Sequence, residues 1–225
     1  MPIRTLCLSL LVLMSTAFPA QAFRLVFIGP NRAQPSRLDA TPAEAARRIR
    51  PDLGFALAVL MVAGLAIAVS PVEGLFRLAV DPRWYLYGAA AGLLAPFFEY
   101  LVGLIALRRL APLRVHDQAG KGLVVVLAGV LAAAAEEMVF RGIFLPVLDQ
   151  LVPIMVAVAV TSIVYGLNHL YFGWLAVLQK TLTGIGLGLL FVYSGYSVLV
   201  PIAAHVVQNL VVLLLLPSSS ARRPR

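Results

Sequence analysis

Apolar residues come in long blocks along this chain, each close to the ~20 residues a helix needs to cross a bilayer. The blocks cover 53–72, 84–107, 122–148, 150–168, 174–193 and 197–216. They predict an all-α, polytopic transmembrane helix bundle with six core spans, 53–216 in all, preceded by a signal-like or anchoring segment. The polar segment 30–52 carries Arg32, Arg37, Arg47, Arg48 and Arg50, and the loop 108–121 carries Arg108, Arg109, Arg114 and Lys121. By the positive-inside rule both are cytoplasmic. The connection 73–83 is nearly balanced, and the tail 217–225 is basic again through Arg222, Arg223 and Arg225. An even number of spans returns both flanks to one side, which is consistent with that assignment.

Residues 1–29 combine Arg4, the apolar run 6–17 and Ala20-Gln21-Ala22, the features of a signal peptide with its cleavage box. Cleavage would leave 30–52 outside, against its five arginines, so the reading favours an uncleaved N-terminal span with its start outside. Thr41-Pro42-Ala43-Glu44 resembles a helix N-terminus with proline at the first position and suggests a short amphipathic helix at the cytoplasmic surface. Gly184 and Gly188 have the spacing that lets a neighbouring helix approach closely. Trp84, Tyr85 and Tyr87 open the second span, where an aromatic belt belongs.

Composition sharpens this picture. Of 225 residues 61% are hydrophobic and only 12% charged, against roughly 25% in a soluble domain, and the mean hydropathy is +0.93. No fold of this size could hide so much apolar surface from water, which excludes a solvated enzyme, a nucleic-acid module and a disordered chain. The net charge of +8 comes from arginine clusters between apolar blocks, so it reads as topology signal and headgroup attraction. A single cysteine, Cys7, excludes an internal disulfide and any cysteine-built metal site.

An ionisable group inside a span costs about 2.5–3.5 kcal/mol on insertion scales, so its presence marks a candidate site. Here such groups cluster on three spans: Glu136, Glu137 and Arg141 on the third, Tyr165, Asn168 and His169 ending the fourth, and His205, Gln208 and Asn209 on the sixth. Glu137 and Arg141 stand at i,i+4, which predicts an ion pair on one helix face. Glu136 points about 100° away and must find its partner on another helix. His205 and Asn209, also at i,i+4, can converge on one water or cation, and His169, four residues after Tyr165, can add a second imidazole. A carboxylate, two imidazoles and an amide in a water-poor pocket suit amide hydrolysis: the carboxylate takes a proton from water while the other groups, or a metal they hold, stabilise the oxyanion. Glu99 and Lys180 are read as a snorkelling or mutually paired couple. At about 1.5 Å per residue, His169 falls near the cytoplasmic end of its span and His205 only about 12 Å from the outer end of its own. Tilted helices, or a 194–197 connection that dips into the protein, would let them meet.

The motifs resemble those of the CPBP family of intramembrane endopeptidases, which includes the type II CAAX prenyl endopeptidases and bacterial relatives called abortive-infection or bacteriocin-immunity proteins. Glu136-Glu137-x-x-x-Arg141 fits EExxxR, Tyr165-x-x-x-His169 fits FxxxH with tyrosine for phenylalanine, and His205-x-x-x-Asn209 fits HxxxN. The resemblance spans about 132–211 and places a protease core at about 122–216. It implies Glu136, His169, His205 and Asn209 as catalytic residues, with Glu137, Arg141 and Tyr165 supporting.

The expected function is hydrolysis of a peptide bond in a membrane-anchored or lipidated protein or peptide, by an enzyme embedded in the cell or inner membrane and using Glu136-activated water. The alternatives are a catalytically silent scaffold or immunity-type protein of the same fold and a transporter with a proton-relay carboxylate. No nucleic-acid partner is expected. The cofactor is left as none or Zn²⁺, with His169 and His205 the candidate metal ligands; the reading leans to a metal-free site because Glu136, acting as base, leaves only two strong zinc ligands.

Overall fold

The computed structural model describes residues 80–108 and 123–215, positions 57, 59–61, 63–68 and 74–78, and Ile3 and Cys7. Apart from those two residues, the expectations for 1–52, together with the loop beyond Arg108 and the tail 217–225, lie outside the described residues. All regular structure among the described residues is helical.

Helix α1 spans Pro82–Leu107. Asp81 caps it, its carboxylate accepting from the backbone N–H of Arg83 at 3.0 Å, and Pro82 occupies the first turn, where a missing N–H costs nothing. The Arg83 side chain first, then its backbone N–H, holds the exposed Asp81 carboxyl below its usual range. Helix α2, Leu123–Glu137, runs on through π-helical turns at Met138–Phe144 into α3, Leu145–Asp149. Pro146 supplies no N–H to this ladder, and the wider turns before it accommodate the ring. Helix α4 covers Ile154–Leu167, a 3-10 turn Leu170–Phe172 follows, and Gly173 at φ 99° starts α5, Trp174–Tyr193. Helix α6, Leu199–Leu210, unwinds into π turns at Val211–Leu215.

Of the six expected spans, α1 with 26 residues and α5 with 20 are long and apolar enough to cross a membrane. The expected block 150–168 shortens to Ile154–Leu167 behind Pro153, 197–216 starts at Leu199, and 122–148 is divided by its π turns. Leu86, Leu93, Leu94, Phe97, Leu101 and Ile105 of α1 are exposed, an apolar exterior of the kind lipid covers.

The two most extensive contacts between elements are α4 against α5 and α1 against α6. Close approach explains both. A Cβ on Gly184 would stand 3.0 Å from the Tyr165 ring and 3.1 Å from Ser162 Cβ. One on Gly92 would run into the carbonyl of Ala204. The spacing Gly88-x-x-x-Gly92 repeats the Gly184-x-x-x-Gly188 pattern, so the α1–α6 contact also had a sequence signal. Between α5 and α6, Ser194, Ser197 and Val198 are buried while Gly195 is exposed: Ser197 Oγ donates to the Arg77 carbonyl at 2.9 Å, and Val198 N donates to Leu75 O at 2.9 Å. Trp84 stacks on Tyr193 with centroids 6.4 Å apart, putting the start of α1 beside the end of α5.

Candidate active site

Glu137 ends α2 and Arg141 lies in the π turns, so both point into the bundle where α4, α5 and α6 meet. The expected ion pair is present, with Arg141 Nη1 donating to Glu137 Oε1 at 2.9 Å, and both side chains are buried. Arg141 Nη2 donates to the Gly184 carbonyl at 2.9 Å, and its guanidinium lies 4.8 Å from the Tyr165 ring centroid. A buried charge stays stable only when paired and hydrogen-bonded, and this arginine is held on three sides.

His205 on α6 donates from Nδ1 to the same Glu137 Oε1 at 2.8 Å. His169 Nδ1 donates to the Tyr165 carbonyl at 3.0 Å. Those acceptors assign a proton to Nδ1 in each ring, so an imidazole in its neutral form keeps a lone pair on Nε2. Tyr165 is the hub: its ring centroid lies 5.0 Å from that of His169, 6.2 Å from His205 and 5.2 Å from Phe140. The two histidines therefore meet across one aromatic ring.

Glu136 is half-buried, and among the described residues no hydrogen bond or ion pair holds it. The sequence pattern assigned the interhelical partner to Glu136, whereas the structure gives His205 to Glu137 and leaves Glu136 open. Asn209 Nδ2 donates to Gly129 O at 3.0 Å, seven residues before Glu136 on α2, or about 10 Å along the axis at 1.5 Å per residue. Thus Glu137, Arg141, Tyr165, His169 and His205 form one connected group with Glu136 beside it, and Asn209 ties α6 to α2 lower down.

Glu99 and Lys180 are a mutual pair, Nζ to Oε1 at 2.7 Å. Thr183 and Gln208 donate to the same oxygen at 2.8 and 2.9 Å, and Gln179 to the Glu99 carbonyl at 2.6 Å. This network joins α1, α5 and α6 one turn from His205. The sequence reading gave Gln208 no role, although a polar residue three positions after His205 on an apolar helix was the available signal. Asn168 is likewise buried, with Oδ1 unpartnered among the described residues.

Two free Nε2 lone pairs could ligate a metal. Among the described residues, however, no three of His, Cys, Asp and Glu converge on one point, so they do not assemble the three-ligand set of a catalytic zinc.

Residues 118–211 match the family model described as type II CAAX prenyl endopeptidase Rce1-like. The match takes in α2 to α6 and with them all three motifs. No curated protein and no solved structure matches the chain.

Proposed function

Because residues 118–211 match the type II CAAX prenyl endopeptidase Rce1-like family model, we propose that this chain is a membrane-embedded protease of that kind and hydrolyses a peptide bond in a membrane-anchored or lipidated protein or peptide with water activated by Glu136. It does so as a protein of the cell membrane with six core spans behind an anchoring N-terminal segment, and with 30–52 and 108–121 cytoplasmic. The observation that carries this reading is the Glu136 carboxylate, which among the described residues no hydrogen bond or ion pair holds, next in the chain to Glu137, whose carboxylate fixes His205 through Nδ1.

In the reaction, Glu136 takes one proton of the water as its oxygen bonds to the scissile carbonyl carbon, and the carbonyl π pair moves onto oxygen. A histidine Nε2 lone pair accepts a hydrogen bond from the other water proton and orients the attack. Collapse of the tetrahedral intermediate breaks the C–N bond, and the proton held by Glu136 passes to the leaving nitrogen, giving an acid and an amine. Arg141, bound to Glu137, Gly184 and the Tyr165 face, keeps the group rigid, and rigid placement of catalytic groups is a large part of the rate advantage. No metal takes part.

Glu136→Gln tests the base, because the amide keeps the shape and cannot take the proton. Purified full-length protein in liposomes is assayed on a farnesylated CAAX-type peptide. The expected result is a loss of at least about 100-fold in kcat with unchanged folding, and wild-type turnover in this variant would remove Glu136 from the role. Cleavage that vanishes with a membrane-permeant chelator and returns with stoichiometric Zn²⁺ would overturn the metal-free reading.

A further inference from the structure

Glu99 and Lys180 lie outside the three motifs, yet they place a charged pair within α1 and α5, the two helices long and apolar enough to cross a membrane. The contact of α1 with α6 does not require it, because Gly88 and Gly92 already bring α1 against the carbonyls of Val200 and Ala204. Apolar side chains of similar volume would avoid the desolvation cost of two charges. Packing therefore leaves the pair unexplained.

Its hydrogen bonds are unevenly shared. Glu99 Oε1 accepts from Lys180 Nζ at 2.7 Å, Thr183 Oγ1 at 2.8 Å and Gln208 Nε2 at 2.9 Å, whereas among the described residues Oε2 accepts from none and is not sealed from the surface. The Lys180 ammonium has three N–H bonds and directs one of them to Glu99, its only partner among the described residues. The two side chains stay 23% and 15% exposed, against 1% and 0% for the Arg141–Glu137 pair. One ion pair is closed; the other presents unused donors and an unused acceptor.

Two helices set this open pair beside the candidate active site. Gln208 follows His205 by three residues of α6, about 4.5 Å of rise. On α5, Thr183 precedes Gly184, whose carbonyl receives Arg141 at 2.9 Å. A peptide drawn into such a site needs partners for its backbone where water is scarce. In an extended chain the N–H and C=O of one residue lie on the same edge, as in residues that exchange both bonds across an antiparallel ladder. An ammonium with spare N–H bonds next to a carboxylate with a spare oxygen is complementary to that edge.

We propose that Glu99 and Lys180 form a backbone-binding subsite for the substrate, in which Lys180 Nζ donates to the carbonyl of one extended residue and Glu99 Oε2 accepts from its N–H. This rests on the reading of the chain as a protease and goes beyond it, because neither residue belongs to a motif or to the catalytic group. At about 3.3–3.6 Å per extended residue, the bound residue lies within about three positions of the scissile bond.

An amide-to-ester scan of the substrate tests this, since an ester keeps the course of the chain while removing one N–H and weakening one carbonyl acceptor. Full-length wild type and the charge-neutral double variant Glu99→Gln/Lys180→Met are compared in liposomes on the farnesylated CAAX-type peptide and on copies carrying one ester away from the scissile bond, with kcat, KM and Tm measured separately. For wild type, an ester at one position is expected to raise KM about 10-fold, the effect of losing a hydrogen bond to a charged group, with kcat unchanged, the signature of binding rather than chemistry. The double variant is expected to show that higher KM on the parent peptide already and to respond to no ester. Glu99→Gln alone, which replaces the free acceptor by a donor, is expected to lose the ester response too and serves if the double variant does not fold. A wild type indifferent to every such ester overturns the inference. So does an ester response that survives in the folded variants, which would make the pair a tie between helices. If wild type cleaves the parent peptide and the scan is flat, only this inference falls; if wild type does not cleave it, the protease reading falls and the inference with it.

Discussion

Glu136 and Glu137 are chemically identical neighbours separated by about 100° of helix rotation, and that rotation separates their environments. Glu137 points inward and shares one oxygen between Arg141 and His205, while Glu136 stays half-buried and, among the described residues, unpaired. Removing the charge of Glu137 leaves Arg141 uncompensated in a dry interior. Breaking a buried pair costs about 3–5 kcal/mol, so Glu137→Gln is expected to lower Tm by on the order of 10 °C and to reduce the amount of protein recovered from membranes. A thermal-shift assay in detergent checks this, and a Tm equal to wild type would end the support role. The i,i+4 spacing was enough to foresee the Glu137–Arg141 pair, because both residues lie on one helix. Which glutamate meets His205 was not legible, because that depends on the rotation of α6 against α2.

At the scale of elements, close backbone approach decides where the site's side chains stand. Gly92 lies against the Ala204 carbonyl, immediately before His205, so a methyl group there must push α6 away from α1. Gly92→Ala is expected to cost about 1–3 kcal/mol through overpacking and to lower kcat by displacing His205. Gly186→Ala is the matched control: on the outside of α5, nothing lies within 4 Å of its added Cβ, and alanine is the better helix former. Circular dichroism melts and turnover of the two variants distinguish a specific contact from a general effect of alanine; equal behaviour would show that the α1–α6 contact does not position the site. The π turns at Met138–Phe144 act similarly, since they set where Arg141 emerges relative to Glu137. Periodicity gave no warning of them, although Pro146 marked the place where a regular ladder could not continue.

Across the whole molecule, α1 is about 39 Å long at 1.5 Å per residue, more than the ~30 Å hydrocarbon core, so under the proposed topology Asp81 and Arg108 lie on opposite faces of a membrane, with the Arg108 face cytoplasmic by the arginine counts. An alkaline phosphatase fusion after Arg114 is therefore expected to be inactive and one after Asp81 active; the reverse pattern would invert the orientation. In that topology the stacked Trp84 and Tyr193 would mark the outer headgroup region, and the site would lie nearer the cytoplasmic face, because His169 precedes the start of α5.

The helical class, the boundaries of α1 and α5 and the identity of the residues with chemistry to offer were determined by sequence, because each depends on local quantities: the length of an apolar block, the spacing on one helix face, an ionisable group where lipid should surround it. Only the tertiary structure decided that Tyr165 stands between His169 and His205, that His205 binds Glu137 rather than Glu136, that Asn209 reaches back to Gly129, and that Glu99 gathers donors from α5 and α6. Those relations depend on the rotation, tilt and depth of one helix against another. These are set by where glycines admit a neighbour and where the 194–198 connection ends, and residue spacing along a single helix carries no record of them.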